Sequence, residues 1–183
     1  ATSADSSEDN YTYYTPQNDI QTFFPEVLGT GADVFLKAEG FQLSFSPVSQ
    51  GAFAGTLTTT KGFDSIQYRD VFGKETVLKY TPLFSGLKEE IILQRPAENK
   101  IQFLLKTYEM EAVLTDNVIS LFSDGTRCVG EISKITIYDS SAIPKVSTDS
   151  TVTLTATDKK GEYLYTISLD QNFLLREDIE YPV

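Results

Sequence analysis

Apolar and polar positions alternate with a period of two along most of the chain from residue 41 onward. Phe41, Leu43 and Phe45 alternate with Gln42, Ser44 and Ser46, the pattern of a strand with one buried face. Pro47 and Gly51 break that run, and extended chain is expected again over 52–60. Strands over 66–72 and 75–81 flank Gly73, and another over 88–93 is stopped by Arg95 and Pro96. Residues 101–108, 111–115 and 118–122 continue the series. Asp124-Gly125 between extended runs is a hairpin signal, returning as a strand over 126–132. A strand over 135–138 and a loop over 140–144 precede a final hairpin, whose strands at 151–156 and 163–169 are joined by Asp158-Lys159-Lys160-Gly161.

Residues 11–40 carry a weaker pattern: Tyr11, Tyr13 and Tyr14, then Phe23-Phe24-Pro25, then Gly29 and Gly31. The one segment with helical character is 170–177, where Asp170 can cap and Phe173, Leu174 and Leu175 give a short apolar face. At least ten strands with short polar turns and no alternating long helices exclude a doubly wound α/β fold. The expected class is all-β, an antiparallel β-sandwich or a curled multi-stranded sheet, with at most one short helix near the C-terminus. Residues 11–183 are expected to form one domain, preceded by a flexible acidic segment over 1–10 whose composition suits a chain trimmed after a signal sequence.

Composition narrows the chemistry. The chain has no histidine, no tryptophan and one cysteine, which excludes a Ser-His-Asp or Cys-His nucleophile and an HExxH zinc site. A formal charge of −11 argues against tracking a phosphate backbone, so nucleic acid is not an expected partner. Cys128 lies in the run Cys128-Val129-Gly130-Glu131-Ile132 and is expected to be buried as a small hydrophobe. The acidic N-terminal segment lacks the spacing and glycine turn of a Ca²⁺ loop. No stretch reaches the roughly 20 apolar residues of a membrane-spanning helix. No glycine pattern supports a nucleotide cradle, and no cofactor is expected.

The stretch Tyr68-Arg69-Asp70-Val71-Phe72 to Val77-Leu78-Lys79-Tyr80-Thr81, followed by Gly86-Leu87-Lys88-Glu89-Glu90-Ile91-Ile92-Leu93, resembles the β-rich region preceding DNRLRE domains and RHS-type repeats in large secreted or wall-associated bacterial proteins. The Asp124-Gly125 hairpin, Tyr138-Asp139-Ser140, the run from Tyr163 to Leu169, Phe173-Leu174 and Tyr181-Pro182-Val183 extend the likeness over residues 60–183. Phe173 stands where such proteins often have tryptophan, and Phe72-Gly73-Lys74-Glu75-Thr76-Val77-Leu78 departs from their core motif. The resemblance implies a secreted or cell-surface location, more protein beyond Val183, and neighbouring domains of a longer polypeptide as partners. It carries no catalytic signature. Its structural motif residues here are Lys88, Glu89, Asp139 and Ser140.

Two functional readings follow. One is a non-catalytic structural or interaction module of a surface protein. The other is a carbohydrate-binding module or carboxylate-dependent glycan-active domain, with a cell-wall or host glycan as ligand. Tyr11, Tyr13, Tyr14 and Tyr108 are its candidate stacking residues. A glycosidase would need two carboxyls facing one cleft, about 5 to 5.5 Å apart for retention and about 6.5 to 9.5 Å for inversion. On a strand, Lys88 and Glu90 share one face and Glu89 takes the other, so Glu89 would need a partner such as Asp70, Glu131 or Asp139. Otherwise Lys88 and Glu89 are expected to form ion pairs with neighbouring strands. Ser44, Ser46 and Ser140 have no base except lysine.

Overall fold

A computed structural model describes residues 11–29, 31–60, 62–97 and 100–183. The acidic segment 1–10 lies outside the described residues. Seventeen strands are found among the rest: β1 (Tyr11–Tyr14), β2 (Gln21–Pro25), β3 (Val27–Leu28), β4 (Val34–Ala38), β5 (Phe41–Pro47), β6 (Phe53–Thr60), β7 (Phe63–Arg69), β8 (Thr76–Leu83), β9 (Gly86–Leu93), β10 (Lys100–Thr107), β11 (Met110–Thr115), β12 (Val118–Ser123), β13 (Arg127–Ile132), β14 (Ile137–Tyr138), β15 (Val146–Ser147), β16 (Thr151–Ala156) and β17 (Glu162–Ser168). One short helix, α1 (Gln171–Leu174), completes the set; Asp170 caps it by accepting from the Phe173 amide.

The strands form a seven-stranded sheet in the order β1-β2-β4-β5-β10-β17-β16 and a five-stranded sheet in the order β3-β6-β7-β8-β9. Both are antiparallel throughout. The alternation read along the chain becomes the interior. Phe41, Leu43, Ile101, Phe103, Leu105 and Ile167 of the larger sheet are buried in one cluster with Ile66, Tyr68, Leu78 and Tyr80 of the smaller. Burying such side chains supplies about 1.5 to 3 kcal/mol each before entropy is charged against them. Of residues 11–60, strands β1, β2, β4 and β5 join the larger sheet and β3 and β6 the smaller, although the sequence pattern over 11–40 is the weakest.

A third sheet, β11-β12-β13, adds Met110, Ala112, Ile119 and Leu121 to the same core. The three residues Asp124-Gly125-Thr126 join β12 to β13, with Asp124 at φ 53° and Gly125 at φ 71° at the centre of the turn that the Thr126 amide closes on the Ser123 carbonyl. Cys128 is exposed rather than buried. It opposes Phe122, one residue past the buried Leu121, so it falls on the other face of β12 and β13, while Gly130 opposes Leu121. The expected strand over 135–138 pairs only at Ile137 and Tyr138, with β15. Helix α1 buries Phe173 and Leu174 against Leu93 and Ile137 in a smaller cluster beside β9.

Candidate functional site

Strand β9 separates its three charged residues as period two requires. Lys88 and Glu90 face outward, with Lys88 Nζ 2.7 Å and Lys79 Nζ 3.1 Å from the two oxygens of Glu90. Burial opposes ionisation of Glu90, but the two ammonium groups outweigh it and hold its carboxyl below the usual range. The expected ion pairing of Lys88 and Glu89 is thus corrected. Lys88 pairs along its own strand, and Glu89 turns inward, directly opposite Tyr80 of β8.

Among the described residues Glu89 is the one acid that the fold pushes toward neutrality at physiological pH. Burial raises its carboxyl to about 7, offset in part by the Tyr80 hydroxyl. Glu89 is half-buried as a whole residue, on the edge strand of the smaller sheet. Tyr80 is fully buried, and its Oη makes no hydrogen bond of good geometry. The two groups are nevertheless close enough to shift one another, because burial and then the Glu89 carboxylate raise the Tyr80 phenol. Tyr165 of β17 is raised by burial and by Glu89 in the same way. No second carboxylate contributes to the Glu89 shift. The candidates lie elsewhere: Asp70 Oδ1 accepts from the Glu75 amide at 2.6 Å to close the β7–β8 turn, and Glu131 is exposed beside Ser120.

Asp139 and Ser140 form a latch for the C-terminal segment. Buried Asp139 accepts from Ser141 Oγ at 2.6 Å, from the amides of Lys145 at 2.8 Å and Glu180 at 3.2 Å, and from Lys145 Nζ at 3.3 Å. Ser140 donates its amide and its hydroxyl to the Glu180 carbonyl, each at 3.0 Å. Burial would raise the Asp139 carboxyl, but these donors outweigh it and hold it well below the usual carboxylate range. Its contribution to stability is therefore present above the unfolded-state value near 3.8 and is lost as pH falls below it. Asp139→Asn places an amide NH2 among donors. It should lower the thermal midpoint by several degrees at pH 7 and make 174–183 the first site of limited proteolysis, with the wild-type difference shrinking toward pH 2.

The tyrosine candidates divide. Tyr14, Phe23, Phe35, Ser44, Lys106 and Glu162 stand opposite one another in a continuous row across six strands, on the outer face of the larger sheet. Tyr14 lies parallel to Phe23 within 8° at 6.1 Å, Tyr11 lies near Phe35 at 6.4 Å, and Tyr108 meets Phe35 edge-on at 5.9 Å. Beside them Lys106 Nζ is 2.6 Å and Ser44 Oγ 3.1 Å from Asp33 Oδ2, and Tyr108 Oη is 3.3 Å from Ser44 Oγ. Burial, Asp33 and Tyr108 push the Tyr11 phenol up to about 12. Tyr14 and Tyr108 remain 60% and 41% exposed. Tyr13 leaves the set, because alternation turns it to the inner face, where it packs on the core. Phe23, Phe35, Asp33 and Lys106 complete this surface; period two along β4 and β10 is the sequence signal that could have found Phe35 and Lys106.

A second concavity lies on the other side of β1. It is a half-open cleft of about 300 Å³ between β1 and strands β6 to β8, lined among others by Tyr13, Tyr14, Leu57, Asp64 and Pro82. Among the described residues no three acidic or cysteine side chains are grouped to hold a metal ion, and no helix is long and apolar enough to cross a membrane. No protein family, curated protein or solved structure matches this chain.

Proposed function

We propose that this chain is a non-catalytic interaction module of a secreted or cell-surface bacterial protein, as the resemblance to regions preceding DNRLRE domains and RHS-type repeats implies. The observation that supports the reading is the placement of the acids. The carboxyl with a raised pKa, Glu89, points into the core beside Tyr80 and Tyr165 with no second carboxylate acting on it, whereas general acid and base catalysis of glycan hydrolysis takes two. Asp139 and Ser140 hold the C-terminal segment. The module's use then lies in its surfaces and in the domains beside it. Source cells fractionated into cytosol, wall and medium and probed with an antibody to this domain test the reading. A species much larger than 20.4 kDa in wall or medium supports it, and a free cytosolic species of that mass overturns it.

A second reading, glycan binding, is favoured by the outer face, where exposed Tyr14 and Tyr108 flank a packed aromatic row with polar groups at its side. Aromatic faces stack on sugar rings, and such a row supplies them without tryptophan. Binding to a glycan array that disappears in a Tyr14→Ala/Tyr108→Ala double variant would support this reading; an array without signal would remove it.

A further inference from the structure

We propose that the open corner between β1 and β6 binds an extended, basic segment of a partner protein, which adds to β1 as an eighth strand of the larger sheet. This deepens the interaction-module reading and rests on it. Among the described residues strand β1 is an edge and pairs only with β2. The Thr15 amide donates to the Thr22 carbonyl. Successive backbone groups of a strand point to opposite sides, so the Tyr14 N–H and C=O point away from β2 toward solvent. Among the described residues nothing pairs with them. Strand β1 also carries no charged residue or proline, two of the devices that discourage strand addition.

The smaller sheet continues past this edge. Leu57, Ile66, Tyr80 and Glu89 lie opposite one another in a row across β6, β7, β8 and β9 on its inner face. Ile66 and Tyr80 are buried beneath the larger sheet, but Leu57, on the same face, is 52% exposed. The cleft of about 300 Å³ occupies the place between β1 and that overhanging row. A strand hydrogen-bonded to Tyr14 would turn alternate side chains into this cleft and onto Leu57, as strands added at sheet edges do.

Charge selects the occupant. Among the described residues Asp64 is the only charged residue that lines the cleft, it is exposed, and its one hydrogen-bond partner among them is Thr59, at 2.6 Å from Oδ1. With a net charge of −11, a second copy of this chain or an acidic peptide is repelled. A segment with apolar residues at alternate positions and a lysine or arginine beside Asp64 matches both the backbone row and the charge.

The test uses a phage-displayed library of eight-residue peptides, apolar at alternate positions, selected on residues 1–183, and then a synthetic copy of the most enriched peptide. The expected result is enrichment of basic peptides, a loss of affinity of at least tenfold in Leu57→Arg, and at least tenfold slower hydrogen exchange at the Tyr14 amide when peptide is bound. Leu57 is half exposed, so the variant is expected to fold. Asp64→Lys, at an exposed site, should abolish the enrichment of basic peptides. The proposal is overturned by absence of enrichment, by equal binding to Leu57→Arg, by a peptide preference that ignores Asp64→Lys, or by a Tyr14 amide already protected in the free protein. Each of these leaves the cell-fractionation result untouched, so failure of this site is distinct from failure of the interaction-module reading.

Discussion

Replacing Glu89 with glutamine should stabilise the protein at pH 8, by on the order of 2 to 3 kcal/mol, and change little at pH 4. The sign follows from the direction of the shift. The carboxyl titrates near 4.5 in the unfolded chain and near 7 in the fold, so between those values the unfolded state gives up its proton first. Stability attached to the neutral acid is complete below pH 4.5, falls as pH rises through the window, and is flat again above about 7. A shift of this size is worth roughly 3 kcal/mol, reduced where solvent reaches the edge strand. Glutamine keeps the shape and removes the charge. Urea unfolding across pH 4 to 8 measures it: the wild type should lose stability through the window, and the variant should lack that slope. Parallel curves for the two proteins would place Glu89 in solvent.

Phe103→Ala should lower stability by about 3 to 5 kcal/mol, the largest loss expected from one substitution here. Phe103 is 1% exposed at the centre of the larger sheet, and its ring meets Phe72 at 5.2 Å, Tyr165 at 6.0 Å and Phe45 at 6.3 Å. These neighbours come from the β7–β8 turn, β17 and β5, so the cavity opens where both sheets converge and no single element can collapse to fill it. For a chain of this length the thermal midpoint should fall by roughly 10 °C. A drop within a degree or two would mean that the sheets do not pack through this residue.

Much of the fold was legible because burial on one face of a strand writes period two into the sequence. Phe41-Leu43-Phe45 and Ile101-Phe103-Leu105 are inner-face rows, the Asp124-Gly125 turn is where it was expected, and Lys88 and Glu90 share an outer face. The same rule places Glu89 inside, although the stretch Lys88-Glu89-Glu90 reads locally as a solvated charge run. What stayed hidden depends on the second layer. Whether Cys128 meets core or water is decided by which face of β12 and β13 packs, and the shift of register between Leu121 and Phe122 is invisible in a linear pattern. The outer aromatic row was hidden for a related reason: Phe23 and Phe24 are adjacent and both buried, one on each face of β2, so the run shows no alternation. The latch at Asp139 joins residues 41 positions apart along the chain, a separation no local spacing signals.

The measurement that bears most directly on the proposed non-catalytic reading is the carbon-13 NMR titration of the Glu89 side-chain carboxyl. A single step with a midpoint near 7, uncoupled from any other carboxyl, is the predicted result. Two coupled steps shared with a second carboxyl would reveal a dyad and reopen the enzymatic reading, and a midpoint near 4.5 would contradict the inward placement of Glu89 itself.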